Sequence, residues 1–301
     1  MKRSAFLIGS IFSLIIISCD ETTPPDFNSN LKGTGLFVFD DYAPLSPIAL
    51  NVYYHVPNSV SAQTPICIVF HGNGRDALET RDALIAKANK ENFIVVVPEF
   101  DRDQFPRSDQ YMLGNMFIDG DNPSSATQIP EEEWTFSLIE PLFDHVSELT
   151  SNENTGYDVI GHSAGSQFAH RFLMFKPTNR VNRMVASAAG WYTMPDDNVT
   201  FPYGRGASPT EGASLVHFFD FPLTVVVGSL DNDPNAPSLR RNSQADQQGT
   251  NRVARAQYFY TESQSIANDL QIAFGWQYKS LQNVGHDMEA CVQAAADLLY
   301  K

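Results

Sequence analysis

The run Tyr157-Asp158-Val159-Ile160-Gly161-His162-Ser163-Ala164-Gly165-Ser166-Gln167-Phe168 constrains the fold more than any other part of the chain. Four strand-forming residues are followed by Gly-x-Ser-x-Gly, and then by a helical pattern that points Phe168, Phe172 and Phe175 toward a core. A serine on so abrupt a strand-to-helix turn stands clear of both elements, where its hydroxyl is free to act as a nucleophile. That turn needs small neighbours, because a side chain at 161 or 165 would meet the adjacent strand or helix.

The remainder alternates between two periods. Short β-branched or aromatic runs bounded by Pro, Gly or Asn predict strands at Gly35–Phe39, Leu50–Val56, Ile66–Phe70, Phe93–Val97, Tyr157–Ile160, Met184–Ala188, Leu223–Val227 and Trp276–Leu281. From the third onward the runs are continuously apolar, as strands buried on both faces require. Apolar residues near a 3.6 period predict helices over Asp76–Lys90, Glu133–Leu149 and Met288–Leu299. Alternation of this kind implies an α/β fold: a predominantly parallel eight-stranded sheet flanked by helices. Three long stretches, 101–130, 191–215 and 231–250, all follow strands. As loop insertions over the C-terminal strand ends they are expected to wall a ligand crevice.

Composition narrows the function. With 301 residues, 43% hydrophobic, the chain can bury a large core, which excludes disordered and disulfide-scaffold classes. A formal charge of −15 with scattered basic residues excludes a nucleic-acid partner. Lys2 and Arg3 precede a 13-residue apolar run, Ala5 to Ile17, shorter than the roughly 20 residues of a membrane-spanning helix and typical of an export signal. Ile16-Ile17-Ser18-Cys19 resembles a bacterial lipobox, so Cys19 is expected to carry a lipid. The expected organisation is a signal over 1–18, a lipidated Cys19 with a flexible tether through 33, and one catalytic domain over 34–301. Loss of Lys2 and Arg3 with the signal takes the charge from −15 to −17, which favours neutral over polyanionic substrates. The protein is then an exported, membrane-anchored lipoprotein, periplasmic or at the cell surface. Cys67 and Cys291 either pair or stay buried as thiols.

The elbow, in this setting, resembles that of the α/β-hydrolase fold, and the chain is similar to secreted esterases of the polyhydroxybutyrate depolymerase and feruloyl esterase type over about residues 34–301. The resemblance implies Ser163 as nucleophile. Phe70-His71-Gly72-Asn73-Gly74, at the end of a strand, looks like the family's oxyanion loop, which assigns the backbone N–H groups of Asn73 and Ala164 to the developing negative charge. The family's base follows the last strand, where His286 stands in Asn283-Val284-Gly285-His286-Asp287. Its acid follows a strand ending in Gly-x-x-Asp, which points to Asp231. Asp233, Asp196 and Asp197 are the other candidates. The interval from Asp231 to His286 is long for the family, as an insertion over 234–265 would explain.

Together these imply a serine esterase that cleaves aryl or short hydroxy-acid esters, or polyesters, through an acyl-enzyme, with no cofactor and no metal. A peptidase or acyltransferase using the same triad, and a ligand-binding homologue without chemistry, are the alternatives. Trp191, Tyr192 and Met194 follow a strand end and are candidates for the substrate pocket, with Tyr111, Met112 and Phe117 as a lid. The expected partners are a small or polymeric ester and the membrane that holds the lipid, and the chain is expected to be a monomer.

Overall fold

The computed structural model describes residues 29–301. The export signal, Cys19 and most of the expected tether lie outside the described residues. Its last positions do not behave as a tether: the N–H groups of Asn30 and Leu31 both donate to the Leu149 carbonyl, Ser29 is buried, and the first strand opens at Gly33.

Eight strands form one sheet in the order β1-β2-β4-β3-β5-β6-β7-β8. They are β1 Gly33–Phe39, β2 Leu50–Val56, β3 Ile66–Phe70, β4 Ile94–Pro98, β5 Tyr157–His162, β6 Val181–Ser187, β7 Leu223–Gly228 and β8 Gln277–Leu281. The pairs β1/β2 and β2/β4 are antiparallel, and every pair from β4 to β8 is parallel, so the expected mostly parallel sheet carries an antiparallel edge.

The apolar runs divide by the two-residue period of a strand. In β3, Ile66, Ile68 and Phe70 join one buried layer while Cys67 and Val69 join the other. The helices, in chain order, are α1 Ala77–Asp82, α2 Ile85–Glu91, α3 Ser108–Tyr111, α4 Ile139–Thr150, α5 Ala164–Phe175, α6 Val216–Phe219, α7 Ser243–Gln247, α8 Arg252–Asp269 and α9 Met288–Tyr300. Side chains of α4, α5 and α8 fill the first layer, and those of α1, α2 and α9 the second.

Four expectations are corrected. The helix over Asp76–Lys90 is two short helices, broken where the Leu84 N–H turns back to the Arg81 carbonyl. Glu133–Leu149 begins as 3-10 turns and becomes α-helical at Ile139. The last strand is not buried on both faces: β8 is a sheet edge, and Gln277, Lys279 and Ser280 are exposed. The insertion over 234–265 holds the short helix α7 and, from Arg252, the 18-residue helix α8, which runs on to Asp269 and packs on β7 and β8. Its buried face consists of Arg252, Arg255, Ala256, Phe259, Ser263 and Ala267, spaced for a helix but lacking an apolar stripe. No described helix is long and apolar enough to cross a membrane. Cys67 and Cys291 are free, buried thiols.

Candidate active site

Six loops leave the carboxyl ends of β3, β4, β5, β6, β7 and β8 and converge on one cleft of about 690 Å³. The sharpest turn is at Ser163, whose backbone sits at φ 55°, ψ −111°, a strained conformation for a residue with a side chain. The flanking glycines make it possible. A Cβ on Gly161 would lie 2.5 Å from the Gly165 carbonyl oxygen and 2.8 Å from the Ser166 nitrogen, and one on Gly165 would overlap the Phe70 carbonyl at the end of β3. The Ser163 N–H donates to the Ser187 carbonyl (2.8 Å), which ties the turn to β6.

His286 Nε2 lies 3.0 Å from Ser163 Oγ, and His286 Nδ1 lies 2.7 Å from Asp231 Oδ2. A carboxylate can only accept, so Nδ1 carries the proton and Nε2 is left to accept from the serine hydroxyl. The acid and base loops are stitched together: the Ser229 N–H donates to the Leu281 carbonyl and the Leu230 N–H to the Val284 carbonyl, both at 2.9 Å. The other acids point elsewhere. Asp233 is exposed and accepts from the Asn235 N–H, Asp196 accepts from Asn198, and Asp197 pairs with Arg205.

Burial would raise the Asp231 carboxyl, but its hydrogen bond to His286 and the charges of His286 and Arg252 hold it below the usual carboxylate range. His162, the variable residue of the elbow, is buried with its ring 4.9 Å from that of His286. Burial foremost, then the positive field of His286, pushes it down to about 3, so it is neutral beside the base.

Neither the Asn73 N–H nor the Ala164 N–H donates to a described acceptor, and both residues line the cleft beside Ser163. His71 builds this loop from below. Its Nδ1 bonds the Gly72 carbonyl (2.9 Å) and its Nε2 accepts from the Phe100 N–H (3.0 Å). Burial pushes its pKa down to about 4, consistent with that neutral tautomer. The loop is steadied by Asp76, which accepts from the Gly72 N–H, and by Arg102, which donates to the Asn73 carbonyl at 2.7 Å.

The three expected insertions do meet around the cleft. Arg240, from 231–250, packs its guanidinium 4.9 Å from the Trp191 ring centre and pairs with Asp121 of 101–130. Buried Arg171 lies 4.2 Å from the same ring, so Trp191 is held between two cations as a wall of the cleft. Tyr192 is not a pocket residue. Its ring stacks on Phe259 (4.2 Å, 13°) in the core, and its backbone is clasped by the Gln248 amide, because consecutive residues on this extended segment face opposite ways. Met194 is likewise core, and Tyr111 and Phe117 pack inward against Phe100 and Phe201, leaving Met112 as the lid candidate that reaches the cleft.

Sequence reasoning missed Arg252. Its Nη1 donates to Asp231 Oδ1 at 3.2 Å, and both side chains are 3% exposed. One signal was available: an arginine just after the capping Asn251 opposes the helix dipole, a mismatch that asks for an anion outside the helix.

No protein-family model matches the chain, and no curated protein does. Solved structures do. Poly(aspartic acid) hydrolase-1 from Sphingomonas sp. KT-1 is 36% identical, with a TM-score of 0.84 over 90% of this chain and 99% of that one. The poly(3-hydroxybutyrate) depolymerase LpqC from Bordetella parapertussis is 26% identical, with a TM-score of 0.82 over 90% and 91%. An S-formylglutathione hydrolase from Agrobacterium tumefaciens, 16% identical with a TM-score of 0.53 over 88% and 92%, shares the fold. With an eight-stranded sheet of this order, an elbow between β5 and α5, and these neighbours, the chain belongs to the α/β-hydrolase superfamily and is a hydrolase of that fold.

Proposed function

We propose that the chain hydrolyses carboxylic esters through a Ser163–His286–Asp231 triad, with aryl or short hydroxy-acid esters, including polyesters, as substrates. The observation that carries the reading is the continuous hydrogen-bonded chain from Ser163 Oγ through His286 to Asp231, opening on the cleft. Ser163 attacks the ester carbonyl while His286 Nε2 takes its proton, and the Asn73 and Ala164 N–H groups hold the resulting oxyanion. Collapse expels the alcohol, protonated by His286, and leaves an acyl-Ser163. Water, deprotonated by the same imidazole, then releases the acid. Two free backbone donors are worth having here, since losing one such donor costs on the order of 3 kcal/mol in the transition state.

The substrate class is supported by the poly(3-hydroxybutyrate) depolymerase likeness and by a cleft of about 690 Å³ with a mixed apolar and polar wall of Trp191, Met112, Leu113 and Gln167. The poly(aspartic acid) hydrolase likeness favours a second reading, hydrolysis of an amide-linked polyacid. A panel of p-nitrophenyl butyrate, a feruloyl ester, hydroxybutyrate oligomers and poly(aspartic acid) separates them. The ester reading expects turnover of the first three, lost in Ser163→Ala. Turnover of poly(aspartic acid) alone replaces it with the second reading, and inactivity across the panel refutes both. Export, lipidation at Cys19 and anchoring to a membrane remain part of the proposal, tested by whether Cys19→Ala moves the protein from the membrane fraction to the soluble one.

A further inference from the structure

The Asp231 carboxylate has two oxygens, and the triad accounts for one. The other, Oδ1, accepts from Arg252 Nη1. Arg252 opens α8, and that helix is tied to the acid a second time where the Val253 N–H donates to the Asp231 backbone carbonyl at 3.3 Å. The first turn is itself fixed by the Asn251 side chain, which accepts from the Ala254 N–H. The guanidinium is poorly rewarded for its burial: Nη2 reaches the Pro237 carbonyl only at 3.5 Å, and Nε has no partner. A buried ion pair offsets its desolvation when all its donors are met, and this one leaves a donor unmet, so stability alone does not account for it.

We propose that Arg252 is a positioning residue of the triad, which fixes the rotation of the Asp231 carboxylate and offsets part of the negative charge facing His286. The inference rests on the triad reading above. With Oδ1 held by the guanidinium, Oδ2 stays on His286 Nδ1, and the imidazole keeps the tautomer that accepts from Ser163.

The groups facing this pair come from every neighbouring element. His162 and Ser163 lie at the end of β5 and on the elbow, Tyr192 on the loop after β6, Arg252 on α8, and Asp287 and Cys291 at the start of α9. Of these, His162 is held neutral by burial, Tyr192 and Cys291 are raised by burial, and Asp287 caps α9 by accepting from the Ala290 N–H. Arg252 is the cation of the set.

The test is the pH profile of kcat/KM on p-nitrophenyl butyrate for the purified chain, Arg252→Lys and Arg252→Gln, with thermal melts alongside. Without the guanidinium the imidazolium faces an unneutralised Asp231, so the acid limb moves to higher pH. In Arg252→Gln it rises by about one pH unit, and the plateau rate falls about tenfold or more. Lysine keeps a charge but lacks the planar fork, so its limb falls between the other two. A residue that merely fills space lowers the melting point, and even the rate, without moving the limb. An unmoved or lowered limb in a folded Arg252→Gln therefore overturns the proposal. If that variant does not fold, Arg252→Lys decides, and a limb coincident with the wild type overturns it. An active wild type separates this failure from that of the esterase reading, which would instead leave the unmodified chain inactive.

Discussion

Replacing Asp231 by Asn should damage rate and stability for two different reasons. The amide presents an NH2 group where Oδ2 accepts from His286 Nδ1, or else turns that group on the Arg252 guanidinium, a donor against a donor either way. If the amide keeps its oxygen on Arg252, the imidazole must reprotonate at Nε2 and can no longer accept from Ser163. A triad with the wrong tautomer loses about 10⁴ in kcat. The second cost is independent of chemistry, because Arg252, 3% exposed, is left without a counter-ion. Removing one partner of a buried pair costs roughly 3–5 kcal/mol, or about 10 °C in melting temperature for a domain of this size.

The pH dependence follows from the same groups. The folded Asp231 carboxyl lies below its ordinary value, so its stabilisation is present above about pH 4 and is lost as pH falls through the folded value. The stability gap between wild type and Asp231→Asn, read by urea unfolding, should therefore be widest near neutrality and close in acid. Asp233→Asn is the control, since an exposed carboxylate capping Asn235 should change stability by about 0.5 kcal/mol or less and leave turnover near wild type. A wild-type melting point in Asp231→Asn, or a larger rate loss in Asp233→Asn, would refute the reasoning.

Further predictions concern the framework of the site. Gly165→Ala drives a methyl into the Phe70 carbonyl, so it should cost roughly 1–3 kcal/mol in urea unfolding and lower turnover by disturbing both elbow and oxyanion loop. Tyr192→Phe should leave KM unchanged, because its ring packs on Phe259 away from the cleft, whereas Trp191→Ala should raise KM by opening a wall of the cleft. Three histidines, His71, His162 and His170, are held neutral in the fold by burial, the first two pushed down to about 4 and about 3. Groups with depressed folded values stabilise above the unfolded value and lose that contribution as pH falls. Unfolding free energy should drop from about pH 6.5 downward, by up to about 1.4 kcal/mol per pH unit for each histidine, and a flat profile between pH 7 and about 4 would contradict this. Cys67 and Cys291 should resist a thiol reagent in the folded chain and both react once it is unfolded, since burial raises each thiol.

Most of the strand framework was legible because buried strands are short, apolar and bounded by turn residues. The edges of Leu50–Val56 and Ile66–Phe70 fall where the sequence puts them. The elbow was legible because only glycine fits at 161 and 165. What escaped had no apolar signature. The buried face of α8 is built from arginine, serine and alanine as much as from Phe259, so no hydrophobic period marks it, and Arg252 went unseen with it. Side-chain direction on irregular backbone was equally hidden. Trp191 and Tyr192 are adjacent and both aromatic, yet one walls the cleft and the other packs on Phe259, and the Gln248 clasp that decides this is 56 residues away. Strand β8 misled because Trp276 is a core residue that ends just before the strand, which then runs exposed along the sheet edge.

The central claim, that Ser163 is a nucleophile activated by His286, is tested most directly by reacting the folded chain with an alkyl fluorophosphonate and mapping the adduct by peptide mass spectrometry. The account predicts a single phosphonyl adduct on the peptide carrying Ser163, absent in Ser163→Ala and slowed severely in His286→Ala. A folded chain that takes up no adduct, or takes it up at another residue, would contradict it.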